Sequence, residues 1–273
     1  MQFAPPEKKR LLDELYALYN REEFITPDPL QFLVSYCDIR DREIAGVICA
    51  GLAYGRVMQI CRSVSRVLSP MGHSPRAFLE KASPDSLQET FHGFKHRFTT
   101  DAELVDVLWA LREVIREHGS LQTCFVRGFR EMDRDTTKAL SLFVQEIRKH
   151  TPRGSTNSLL PCPDKKSACK RFHLYLRWMV RHDNVDPGGW DGIDPSCLVI
   201  PLDTHMHRIC TALGMTTRRQ ADLRTALQIT DTFRMVSPED PVKYDFSLTR
   251  LGIRSDTQCP RFFQELMSGT WRN

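Results

Sequence analysis

Apolar residues recur along this chain at helical spacing, and almost nowhere do they alternate as in a half-buried strand. Leu11, Leu12, Leu15 and Leu18 follow the i, i+3, i+4, i+7 pattern after Pro5–Pro6. Ile44, Val47 and Ile48 open a second helix in which Ala45, Gly46, Ala50, Gly51 and Ala53 are all small, which predicts close packing against its neighbours. Further helices are expected from about Val57 to Leu68, Ala102 to Glu117 and Thr136 to His150. Phe172, Tyr175, Leu176, Met179 and Val180 form one later stripe, and Met206, Ile209, Cys210 and Leu213 form another. Leu198-Val199-Ile200 is the one short run with a strand-like look, and one run makes no sheet. The expectation is an all-α protein.

With 273 residues the chain is long enough for one large helical domain or two lobes sharing a core. Its apolar fraction of 41% and charged fraction of 26% are those of an ordinary globular protein. Lys and Arg exceed Asp and Glu by 38 − 34 = 4, so a nucleic-acid partner rests on where the basic residues cluster rather than on net charge. Met1 to Tyr19 carries charges throughout and has no apolar signal-peptide core. The run Ile44–Gly55 is well short of the roughly 20 residues a membrane span needs. A cytoplasmic location is therefore expected. The nine cysteines are odd in number and scattered, with no C-x-x-C pair, which predicts reduced thiols rather than a disulfide framework.

The loops Thr151–Ser167 and Asp183–Pro201 bracket a helix from about Ala168 to Arg181. Ser167 is its expected N-cap, with Lys165 and Lys166 just before it and Lys170 and Arg171 in its first turn. Cations there oppose the helix macrodipole. A phosphate-binding role would explain them, through free amides and side chains together, and a solvated basic face is the alternative. Lys170, Arg177 and Arg181 fall on the side of this helix opposite Phe172 and Met179. Downstream, Asp203 leads into the helix of Met206 and Ile209, where a plain N-cap is the simplest role. Asp203, His207 and Cys210 share a helix face but lack a fourth ligand, and His92 and His96 share one with nothing to complete a set, so no metal and no cofactor is expected.

The stretch IPLDTHMHRICTALG, residues 200–214, resembles the V-D-T-H-V-x-R-x-x-x-R-L-G segment of the helix-hairpin-helix, endonuclease III-like DNA glycosylases. The resemblance places that superfamily's aspartate at Asp203 and its neighbouring His and Arg at His205 and Arg208. Endonuclease III relatives carry their lysine in a Gly-rich L-P-G-V-G hairpin, which is missing here, as is the C-terminal cysteine cluster of the iron–sulfur members. The layout is closer to the archaeal 8-oxoguanine glycosylases, in which the lysine opens a long apolar helix; Lys170, 33 residues before Asp203, fits that place. The segment Asp240–Phe246 resembles a C-terminal stretch of those enzymes in which an aspartate contacts the extruded base, which implies that role for Asp245; Thr249 stands where they have an aromatic residue. SACKRFHLYLRWMVR together with PLDTHMHR also resembles an uncharacterised bacterial family of unknown function.

The resemblance implies a two-lobed helical fold over residues 1–273 with an atypical helix-hairpin-helix, residues 40–158 forming a central lobe and 1–39 with 159–273 forming the second. It implies a base-excision glycosylase with abasic-site lyase activity, acting as a monomer on damaged duplex DNA in the nucleoid, with 8-oxoguanine as the suggested lesion. Such an enzyme flips the nucleotide out, and its lysine attacks the sugar as a neutral amine. Burial and the nearby cations Lys166 and Arg171 would favour that form of Lys170. Asp203 would stabilise the oxocarbenium-like centre and help move protons. Lys165, Lys166, Ser167, Arg171 and Arg177 would hold backbone phosphates with His205 and Arg208. Arg56 and Gln59 lie where the superfamily inserts a residue into the duplex. Phe172 is an aromatic that would line the base pocket if it is not core. Two alternatives stay open: a catalytically silent nucleic-acid-binding protein with the same fold, in which Lys170 and Asp203 form an inert salt bridge, and an enzyme acting on RNA or a free nucleoside.

Overall fold

The computed structural model describes residues 6–130, 132–151, 157–165 and 167–253. Among them are twelve α-helices and a single two-stranded ribbon. The helices are α1 (Pro6–Tyr19), α2 (Ile39–Leu52), α3 (Val57–Met71), α4 (Pro75–Lys81), α5 (Pro84–Thr90) and α6 (Asp101–His118). They continue with α7 (Leu121–Gly128), α8 (Thr137–Lys149), α9 (Lys170–Val180), α10 (Thr204–Ala212), α11 (Leu223–Arg234) and α12 (Asp245–Ile253). The ribbon pairs β1 (Lys95–His96) antiparallel with β2 (Thr99–Thr100). The protein is all-α, as its periodicity predicts. No helix among the described residues is long and apolar enough to cross a membrane.

Local chemistry sets most helix starts. Asp38 caps α2, Ser74 caps α4, and Thr100 and Glu103 form a reciprocal capping box on α6. Gly119, at φ +86°, ends α6 in a conformation that strains any residue with a Cβ. The small residues of α2 let it sit at the centre, packed against α3, α4, α7 and α9. A methyl group on Gly46 would come within 2.8 Å of the Tyr175 ring. This is the close approach its composition predicts.

The buried apolar side chains form one cluster from Leu12 to Leu248. The stripe of α9 lies at its heart, with Phe172, Tyr175, Leu176 and Met179 all fully buried. Each such side chain stabilises the fold by about 1.5–3 kcal/mol relative to exposure.

Leu198-Val199-Ile200 is buried and belongs to no strand, as a lone run should; the Thr230 hydroxyl accepts from the Ile200 amide at 3.0 Å. Two local expectations are corrected. His92 and His96 share no helix: His92 is in a turn and His96 is in β1. The His96 Nε2–H donates to the Tyr54 carbonyl at 3.0 Å, so Nδ1 accepts from the Ser63 hydroxyl at 2.8 Å. The second concerns α9, whose side chains Arg177 and Arg181 are 3% and 5% exposed rather than solvated. Arg177 bonds Asp186 at 2.9 Å and also pairs with Asp245. Arg181 reaches Asp183 and Asp240, each at 2.9 Å, and Asp186 as well. The loop after α9 and the start of α12 cover the face that sequence spacing leaves open.

Candidate active site

Cys169, the residue before α9, holds a left-handed backbone (φ 47°, ψ 34°) that is uncommon for any residue but glycine. Ser167 is not the N-cap. Its hydroxyl accepts from the Cys169 amide at 3.3 Å, and the helix begins at Lys170 with no side chain capping it. Thirty-three residues on, Asp203 caps α10. Its Oδ1 accepts from the Met206 amide at 2.8 Å, and its Oδ2 lies 2.8 Å from Lys170 Nζ. The two side chains are 36% and 31% exposed, so water and ligands reach the pair. Burial pushes the Asp203 carboxyl up, but the Lys170 charge and hydrogen bonds from Lys170 and Met206 outweigh it, and the pKa falls below the ordinary 3.8.

The pair borders an open cleft of about 370 Å³ lined by Ser167 to Lys170, Leu202 to Thr204, and Ala221 with Asp222. These segments are the starts of α9, α10 and α11, the last capped by Asp222 through the Thr225 amide at 2.8 Å. Three helix N-termini thus converge beside one lysine. Those of α10 and α11 already hold their own capping carboxylates, while that of α9 has no side-chain cap and favours an anion. The third was missed in the sequence, although Asp222 before the apolar positions Leu223, Ala226 and Leu227 was a legible cap signal.

Beside Asp203, His205 is part-buried, and its Nε2 is shielded from solvent without a hydrogen-bond partner. Burial holds its imidazole below the ordinary histidine range against the pull of Asp203. Arg208 is exposed one turn along α10. Arg56 and Gln59 are exposed at the start of α3.

Four other sequence-predicted residues have different surroundings. Arg171 turns away from the cleft: it donates to the carbonyls of Gly51 and of Ser158 (2.7 Å) and lies over the Tyr54 ring. The cation expected beside Lys170 is therefore spent on holding α9 against α2. Arg177 contacts carboxylates, not solvent. Phe172 is core, in ring contact with Phe143 and Tyr175. Asp245 is 2% exposed and paired with Arg177, so it does not border the cleft. Burial drives its carboxyl upward and Arg177 opposes this; the charges of Asp203 and Lys170 are close enough to add smaller, opposite pushes. Lys166 and the side chain of Lys165 lie outside the described residues, as does Cys259. In α10, His207 Nε2 donates to the Arg218 carbonyl at 2.8 Å, so Asp203, His207 and Cys210 are not gathered on one ion.

Sequence spacing also missed the ribbon. Phe98 stands at its tip, 64% exposed, stacked on Tyr54 with centroids 4.9 Å apart. Arg97, at φ 54°, packs against Gly55, and Lys95 and Arg97 are both exposed. The chain of contact Arg171–Tyr54–Phe98 ties this tip to the first turn of α9.

The family model described as Protein of unknown function (DUF2400) matches residues 28–254. The chain belongs to this family. The matched span of this DUF2400 protein includes both members of the Lys170–Asp203 pair and the ribbon. No curated protein and no solved structure matches the chain.

Proposed function

We propose that this DUF2400 protein is a base-excision DNA glycosylase with abasic-site lyase activity, built on the glycosylase-like helical fold that its 200–214 segment resembles. The observation that carries the reading is the 2.8 Å approach of Lys170 to Asp203, an amine and a carboxylate from distant segments, in an accessible cleft. The uncapped N-terminus of α9 beside Lys170 suits a substrate that brings phosphates. An exposed aromatic next to Arg97, with Lys95 exposed in the same ribbon, suits one that brings unstacked bases.

In this mechanism Lys170 gives up its proton to water as the substrate seats in the cleft, and the neutral amine attacks the sugar C1′. The N–C1′ bond forms as the glycosidic bond to the base breaks, and the base leaves with a proton. Opening of the sugar ring gives the Schiff base. Loss of the C2′ proton then expels the 3′ phosphate and cuts the strand. Asp203 faces the positive charge that develops at C1′. The suggested lesion is 8-oxoguanine, by the layout of Lys170 and Asp203.

Incision of duplexes bearing 8-oxoguanine or an abasic site tests the proposal. Cutting by the wild type that Lys170→Ala abolishes is expected. The same ion pair favours a second reading, because an inert, charged lysine would make it too. A silent binder would show steeply salt-dependent duplex binding and no cutting of either substrate. Structured RNA outcompeting duplex DNA would point to an RNA substrate. On the proposed reading Phe98→Ala weakens duplex binding by roughly 1–3 kcal/mol, on the order of 5- to 150-fold in Kd. Unchanged binding would remove the ribbon from the interface.

A further inference from the structure

The ends of α6 and α8 meet outside the cleft. Glu117 and His118 are the last residues of α6, and Glu146 and His150 lie one turn apart at the end of α8. One ligand atom from each of Glu117, His118 and Glu146 lies within 4.8 Å of the others. His118 Nε2 is 3.4 Å from Glu146 Oε1 and 4.0 Å from Glu117 Oε1. His150 Nε2 is 3.4 Å from Glu117 Oε2 and 4.0 Å from Glu146 Oε1. His150 Nε2 is also shielded from solvent and has no hydrogen-bond partner, though it faces two carboxylates. The His118 side chain is only 9% exposed.

We propose that Glu117, His118, Glu146 and His150 form a binding site for a divalent transition-metal ion of the Zn²⁺ type, clamping α6 to α8. Tetrahedral zinc has bonds of about 2.0–2.1 Å to histidine and about 2.0–2.2 Å to carboxylate, which separate neighbouring ligand atoms by about 3.3 Å. The four imidazole–carboxylate separations, 3.4–4.0 Å, are close to that; Glu117, His118 and Glu146 are already gathered, and a rotation of the His150 ring would complete the set. Two imidazoles and two carboxylates make a closed four-ligand set, and the carboxylates neutralise the ion's charge. This composition suits zinc better than calcium or magnesium, which take oxygen ligands.

Without metal, two cations serve the cluster. Lys149 pairs with Glu146, and Arg127 donates to His118 Nδ1 at 2.9 Å. A guanidinium only donates, so Nδ1 accepts and the ring proton sits on Nε2. Metal binding at Nε2 shifts that proton to Nδ1 and displaces Arg127, which is exposed and free to swing into solvent. The clamp also has a structural destination. In α8, Gln145 bonds Asp164 at 2.7 Å and Arg148 bonds the Leu160 carbonyl at 2.7 Å, so the helix holds the segment that leads into α9.

The test is titration of the EDTA-stripped full-length chain with Co²⁺, followed by Zn²⁺. Expected are one equivalent of Co²⁺ with tetrahedral d–d absorption and no thiolate charge-transfer band, displacement by Zn²⁺, and a raised melting temperature. His150→Ala should weaken binding at least tenfold, and Glu146→Gln likewise. Arg127→Ala should tighten it, because it removes the competing donor. Cys37→Ser, at the exposed thiol, should change nothing. The proposal is overturned if neither ion binds stoichiometrically at tens of micromolar, if binding survives both His150→Ala and Glu146→Gln, or if it is lost in Cys37→Ser. Circular dichroism in EDTA separates loss of a ligand from loss of the fold.

Discussion

Replacing Arg177 by Met is expected to destabilise the protein by roughly 3–5 kcal/mol, the largest stability effect of any single substitution considered. Asp186 is fully buried and Asp245 is 2% exposed, and the Arg177 guanidinium bonds both. Without it Asp245 keeps a buried carboxyl with no partner, and Asp186 keeps only Arg181. Small globular proteins are stable by about 5–15 kcal/mol, so such a loss takes much of the margin. Arg177→Lys should rescue little, because an ammonium cannot span two carboxylates as a planar fork does. Urea denaturation midpoints, compared at constant slope, check this. A loss below about 1 kcal/mol would mean that the network contributes little to folding.

Asp203→Asn is expected to separate the two jobs of that residue. Asparagine caps a helix about as well as aspartate, so the bond to the Met206 amide survives. The lost ion pair is about one-third exposed and contributes at most about 1 kcal/mol. Turnover, in contrast, should fall by roughly 10²–10⁴-fold, the range for a positioned acid–base group. The pH dependence has a definite sign. The Asp203 pKa lies below 3.8 in the folded protein, so its stabilisation is present at neutral pH and is lost as the pH falls through the depressed value. The variant should therefore trail the wild type slightly at pH 7 and match it in strong acid. Thermal melts at both pH values and single-turnover incision rates measure the two effects. Unfolding of the variant would make the Lys170–Asp203 ion pair chiefly structural; full activity would remove the Asp203 charge from the chemistry.

Both readings of α9 began with the same helical spacing, and the structure separates them. The apolar stripe was legible, because Phe172, Tyr175, Leu176 and Met179 declare their own burial by their chemistry. The opposite face was not. Spacing places Arg177 and Arg181 together but is silent about what covers them, and the covering carboxylates come from residues 183, 186, 240 and 245. Arg171 misled for a related reason, since its partners are the carbonyls of Gly51 and Ser158 and no side-chain pattern announces them. The pairing of Lys170 with Asp203 was suggested by motif layout alone, and only the folded chain brings the two atoms to 2.8 Å. The ribbon was illegible because two-residue strands have no period to detect. The cluster of Glu117, His118, Glu146 and His150 was hidden in the same way, with two adjacent residues on one helix and a one-turn pair on another.

Borohydride trapping on a duplex bearing an abasic site tests the central claim most directly, because it captures the bond that only a nucleophilic amine can form. Lys170 should add to the sugar aldehyde with loss of water, and reduction should fix a covalent protein–DNA adduct that maps to Lys170 and vanishes in Lys170→Ala. No adduct with the wild-type protein, or one that persists undiminished in Lys170→Ala, would contradict the account.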